Sequence, residues 1–295
     1  MELDYRTEHF DIHQDEAALS LAKLHAFGRA AERDYARLCK SLEMLGCNER
    51  FTIQIISTGV FACSADGSGV DISPNYLPGA GRNEVFAHEL VHAIAARAYG
   101  YAISFLREGV AYHFTQSGFG RPRNPLAELR CMRHYLVARA ADDGNLPSLG
   151  EFLLTPFFWG VWRYSSQRLS EIIGTAASAS FTHFLFHRYQ PEKYWGLYHA
   201  MHKLEEEMTG RWEPNCTLSF VSEYLGTEGS ELENAWLRFA RKRASRNPWI
   251  AEIYDRGKAK CGAIILPTPA TNCHVCGWWW QENEQECPKC QRARA

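Results

Sequence analysis

The stretch AHELVHAIAARAYG, residues 87–100, decides how the rest of the chain is read, because it contains His88-Glu89-x-x-His92. Positions four apart on an α-helix are separated by about 400°, so His88 and His92 leave one face together and can hold one zinc ion. Glu89 stands about 100° further round, beside that ion. There a general base can take a proton from a water whose pKa the metal has lowered toward about 7. The flanks suit a buried helix: Val85, Phe86, Leu90, Val91 and Ile94 are apolar, and Ala87, Ala93, Ala95 and Ala96 let other elements approach closely. Asn83 can cap the helix start, and Gly100 supplies its stop after Tyr99. A motif this short also arises by accident, so its surroundings carry the decision.

A catalytic zinc requires a third protein ligand and an open fourth position. The segment FLREGVAYH, residues 105–113, supplies Glu108, sixteen residues after His92. That interval allows the first helix to end, a loop to turn, and an antiparallel second helix, predicted over 103–116, to return a carboxylate to the metal. Gly109 lowers helix propensity, so its place beside Glu108 points to close helix packing. The competing reading is two ordinary helix histidines and a surface carboxylate. Three polar groups ordered in this way on otherwise apolar helices would be expensive to bury without a metal, which favours the site.

Outward from the motif, residues 14–45 carry apolar side chains at helical spacing, with Gly46 as the stop. RFTIQIIST, residues 50–58, is a strand by β-branched content, and VFAC (60–63) and GVDIS (69–73) around the turn SADGSG form a hairpin or two neighbouring strands. After Pro122 and Pro125, residues 126–142 and 176–208 read as further helices. The predicted class is α+β: a small mixed sheet, the His-Glu-x-x-His helix and a helical C-terminal lobe. The basic run RKRASRNP, residues 241–248, followed by DRGKAK, reads as a solvated face. It opens a linker over 246–268, between a large domain over 1–245 and a small one over 269–295.

With 295 residues and 46% hydrophobic content, the chain can bury a substantial core. Its 32 basic and 34 acidic residues leave a formal charge of −2, so no global field attracts nucleic acid or an anionic membrane. The first residues lack the basic start and apolar run of a secretion signal, and no stretch approaches the roughly 18 apolar residues of a membrane span. Of the ten cysteines, Cys39, Cys47, Cys63, Cys131, Cys216 and Cys261 are scattered, whereas Cys273, Cys276, Cys287 and Cys290 form two CxxC pairs. That distribution points to a reducing compartment, with the cytoplasm as the expected location, and to a metal knuckle.

The knuckle lies in CHVCGWWWQENEQECPKC, residues 273–290. Four thiolates in a tetrahedral array make a closed structural zinc site, without which about twenty residues could not fold; iron fits the same ligands. The segment resembles a zinc ribbon or rubredoxin-like knuckle. Glu282, Glu284 and Glu286 would repel phosphates, while Trp278, Trp279 and Trp280 offer an aromatic surface suited to a protein partner or to covering the ribbon's own core.

HELVH followed by LREGVAYHF resembles the gluzincin metallopeptidases, especially bacterial proteins with a peptidase MA-like domain. The resemblance extends to YRTEHFDIHQDEA as an opening strand, DGNLPSLGEFL after the metal helices, and ASASFTHFLFHRYQPEKYWGLYHAM and ELENAWLRF as closing helices. It implies His88, His92 and Glu108 as ligands of a catalytic zinc and Glu89 as general base and proton shuttle. It also implies that the edge strand near GVDIS pairs with an extended substrate backbone. Two features depart from the family. The interval from His92 to Glu108 is shorter than in thermolysin-like enzymes, and Tyr112 stands where those enzymes place an Asp that supports a ligand histidine. The donor that would stabilise a transition-state oxyanion is open among Tyr164, His183 and Tyr101.

The leading expectation is a cytoplasmic hydrolase, a zinc-dependent endopeptidase or aminopeptidase, holding one catalytic and one structural zinc and recruiting substrate or partner through its ribbon. The alternative is a catalytically weak peptidase scaffold that binds a protein, with nucleic acid a lesser reading of the ribbon and basic linker.

Overall fold

Aromatic and β-branched residues spaced by two along three short segments build the sheet that precedes the motif. The structure, a computed structural model, describes residues 4–15, 19–42, 50–57, 63–74, 77, 83–115, 125–154, 167–208, 214–244, 270–272 and 279–281. The chain divides into two units: Met1–Gly100 with Phe114–Phe119, and Tyr101–His113 with Gly120–Ala295.

In the first unit, strands β1 (Tyr5–Arg6) and β2 (Phe10–Gln14) lead into helix α1 (Leu21–Ser41), followed by β3 (Phe51–Ile55), β4 (Cys63–Asp66), β5 (Gly69–Ile72) and helix α2 (Asn83–Tyr99). The sheet order is β1-β2-β3-β5-β4; β2, β3 and β5 run parallel, with β1 and β4 antiparallel to their neighbours. Phe10, Ile12, Phe51, Ile53, Ile55, Val70 and Ile72 are buried, and their spacing by two puts each strand's apolar set on one face. The ring of Phe86 on α2 lies 6.3 Å from Phe10 and 5.3 Å from Phe27 on α1, so sheet and both helices share one aromatic core.

Two expectations change here. The predicted helix over 14–45 spans only Leu21–Ser41, because Gln14 belongs to β2, paired with Ile55 of β3, and the helix enters through Ser20 as N-cap. The segment GVDIS is not the sheet's edge: β5 is bonded on one side to β3 and on the other to β4. Among the described residues the edge strands are β1 and β4, and β5 separates β4 from β3.

In the second unit, helices α3 (Ser104–Thr115), α4 (Pro125–Asp142), α5 (Leu149–Leu154), α6 (Gln167–Arg188), α7 (Pro191–Met208), α8 (Pro214–Leu225) and α9 (Gly229–Ala244) follow one another, the last two residues of α3 belonging to the first unit. Helix α4 packs on α6 and α9, and α5 on α8. Phe105 stacks on Phe152 at 4.9 Å, and Phe181 meets Trp236 edge-on at 5.4 Å, all four buried. The helical stretch expected over 176–208 is two helices, broken at Tyr189–Gln190. Pro191 lacks the N–H that would continue α6, and it opens α7 where that N–H is not needed.

Strands β6 (Ala270–Asn272) and β7 (Trp279–Gln281) form an antiparallel pair in which Asn272 faces Trp279. The pair brackets the segment that holds Cys273 and Cys276. These two cysteines, with Cys287, Cys290, Trp278 and the linker over 246–268, lie outside the described residues. The chain is thus a mixed α/β protein at the coarse level, a small sheet followed by predominant helix. No helix among the described residues is long and apolar enough to cross a membrane.

Candidate metal centre

Helix α2 is buried on nearly every side: Phe86, Ala87, Leu90, Val91, Ala93, Ile94 and Ala95 have no exposed surface. The alanines make this possible, since a helix embedded between other elements needs small side chains where backbones approach. Gly100 ends it in the left-handed region (φ 80°), its N–H bonded to the Ala96 carbonyl at 2.8 Å, as the sequence predicts. His88 and His92 sit one turn apart on this helix, with ring centroids 4.7 Å apart and planes at 88°. Their Nε2 atoms are 3.1 Å from each other. Two imidazole nitrogens bound to one tetrahedral zinc at about 2.05 Å lie about 3.3 Å apart, so the pair already stands near ligand spacing. His92 is 6% exposed, and His88 and Glu89 are partly exposed, an arrangement in which one face of the motif remains reachable.

Glu108 is carried by α3, and Gly109 explains how that helix is seated. A Cβ on Gly109 would lie 2.2 Å from the Thr182 hydroxyl oxygen and 2.7 Å from the Ser178 carbonyl oxygen of α6. Only a residue without a side chain lets α3 approach α6 this closely, which is the packing role the sequence assigns to it. The Tyr194 hydroxyl on α7 donates to the Leu106 carbonyl at 3.2 Å and so fastens the turn before Glu108. Tyr198, one turn further along α7, is held as a neutral phenol chiefly by burial, with the Glu108 carboxylate among the charges acting on it. Tyr194 supports the Glu108 helix, and sequence reasoning misses it: an aromatic residue on an apolar helix carries no signal that separates a supporting hydroxyl from plain core.

One ligand atom from each of His88, His92 and Glu108 lies within 4.8 Å of the other two. The donor set, two imidazoles and one carboxylate, is one that zinc accepts. Of the proposed oxyanion donors, His183 is engaged within its own unit. Its Nδ1 accepts a hydrogen bond from Arg133 Nη2 at 2.9 Å and lies 2.9 Å from His134 Nε2. Tyr101 is partly exposed just ahead of α3, as is Tyr112 on α3, and Tyr164 lies outside the described residues. No family model matches the chain, and no curated protein matches its sequence.

Proposed function

We propose that the chain is a zinc-dependent peptidase of gluzincin type, with a zincin-like fold over 1–245 and a ribbon held by a second zinc through Cys273, Cys276, Cys287 and Cys290. The observation that supports this reading most strongly is the ligand grouping of His88, His92 and Glu108 within 4.8 Å, beside the buried apolar side chains Leu90, Val91, Leu106 and Val110. When bound there, zinc supplies Lewis acidity that polarises a peptide carbonyl and lowers the pKa of water. His88 and His92 would hold the ion through ring nitrogens, and Glu108 would complete the set with a carboxylate oxygen. Glu89, next to His88 on the same helix, takes the proton of the attacking water and delivers it to the departing amine nitrogen. The β6–β7 pair around the first CxxC supports the ribbon, which we assign to recruitment of a protein substrate or partner, with Trp278, Trp279 and Trp280 as the contact surface.

Elemental analysis of purified protein separates this reading from a non-catalytic scaffold. Wild type is expected to hold two zinc ions, one lost in His88→Ala and the other in a Cys273→Ala/Cys276→Ala variant. A single zinc, lost only in the cysteine variant, would leave the helix site without metal and make protein binding through the ribbon the better account.

A further inference from the structure

Arg97, in the last turn of α2, is bound to the sheet at four points. Its Nε donates to the Gly67 carbonyl at 2.8 Å, and one Nη donates to the carbonyls of Ser68 at 3.3 Å and Arg50 at 3.1 Å. The guanidinium carbon stands 3.5 Å over the Phe51 ring. Gly67 and Ser68 are the turn between β4 and β5, while Phe51 opens β3 and Arg50 immediately precedes it. The turn also sits on α2 itself, since a Cβ on Gly67 would lie 3.5 Å from the Arg97 backbone nitrogen. Strand β4 lies against α2, and its only described sheet partner is β5. A single planar fork therefore joins three carbonyls of two backbone segments to the end of the helix that carries His88 and His92. A lysine cannot do the same, because its donors radiate from one point.

We infer that Arg97 is a positioning residue that locks the β4–β5 hairpin to the metal-binding helix and so presets edge strand β4 to receive an extended peptide backbone. This rests on the peptidase reading and moves the substrate strand from GVDIS to β4, the edge that lies against α2, whereas the other edge, β1, lies against α1. An edge held in place before binding does not have to be ordered by the substrate, so the lock acts on KM and leaves the chemical step to Glu89.

The test uses full-length wild type, Arg97→Met and Arg97→Lys, with a peptide that wild type cleaves, chosen from a synthetic peptide library. Arg97→Met is expected to raise KM about tenfold with kcat changed less than about threefold, as loss of preorganisation predicts. Arg97→Lys should restore only a small part, and zinc content should stay at the wild-type level. Amide exchange over 63–72 should quicken in Arg97→Met while that of Phe10–Gln14 is unchanged. Equal KM in an active Arg97→Met protein, or unchanged hairpin exchange, overturns the lock and leaves the peptidase reading intact. A wild type that holds zinc yet cleaves nothing in the library overturns the peptidase reading and, with it, the role of Arg97 toward substrate.

Discussion

Glu89→Gln is expected to lower kcat by about 10²–10⁴-fold while zinc content stays at the wild-type level. Glutamine keeps the volume and the hydrogen-bonding reach of the side chain but can neither accept the water proton nor return it to the leaving amine. Glu89 does not belong to the ligand grouping of His88, His92 and Glu108, so its replacement separates proton transfer from metal binding. A peptide assay with matched metal analysis reads the result. Full turnover by a zinc-loaded Glu89→Gln protein would show that another group moves the proton, and the mechanism would have to be rebuilt around it.

Acidification from pH 7.5 to pH 5 is expected to remove about 2 kcal/mol of stability through one side chain, His134. His134 lies on α4 against α6 and α9, is 6% exposed, and has its pKa pushed down from 6.5 to about 2. Burial is the largest cause, followed by the charges of Arg133, His183, Arg243 and His113. The hydrogen bonds fix its neutral form. Arg133 can only donate, so His183 Nδ1 carries no proton, and His134 Nε2, 2.9 Å from that atom, supplies one. On the other side Trp236 Nε1 donates to Ser180 Oγ at 3.0 Å, leaving the Ser180 hydroxyl hydrogen for His134 Nδ1 at 2.9 Å.

In the unfolded chain His134 gains its proton as pH falls through about 6.5, whereas in the folded protein it stays neutral to about pH 2. The unfolded state thus binds more protons across that window. The stabilisation is complete above pH 6.5 and declines as pH falls below it. His134→Gln removes the titration. Urea denaturation should show the stability gap between wild type and His134→Gln narrowing by about 2 kcal/mol between pH 7.5 and pH 5. Parallel curves over that range would mean that His134 is not held neutral by the fold.

The parts of this architecture that were legible in the sequence are those fixed by local rules. The alanine-flanked His-Glu-x-x-His helix, its stop at Gly100 and the close approach at Gly109 follow from helical geometry and from what a glycine permits. The helix break before Pro191 was visible in principle, since proline cannot continue α6, but the apolar periodicity on both sides masked it. Strand order was not legible. Nothing local tells that β5 inserts between β3 and β4, because a short apolar strand reads the same at a sheet's edge and in its interior. The chain Trp236, Ser180, His134, His183 is made of bonded pairs up to 56 residues apart in sequence, and the Arg97 fork reaches back 47 residues to Arg50. Such contacts come from tertiary packing, which one sequence does not display.

Zinc X-ray absorption on the Cys273→Ala/Cys276→Ala variant isolates the helix site, because the metal that remains then belongs to it. Expected is about one zinc per chain, surrounded only by nitrogen and oxygen at about 2.0–2.2 Å, with the multiple scattering of two imidazoles that is lost in His88→Ala. A variant without zinc, or a zinc shell that retains sulfur or is unchanged by His88→Ala, would contradict a zinc site on the helix.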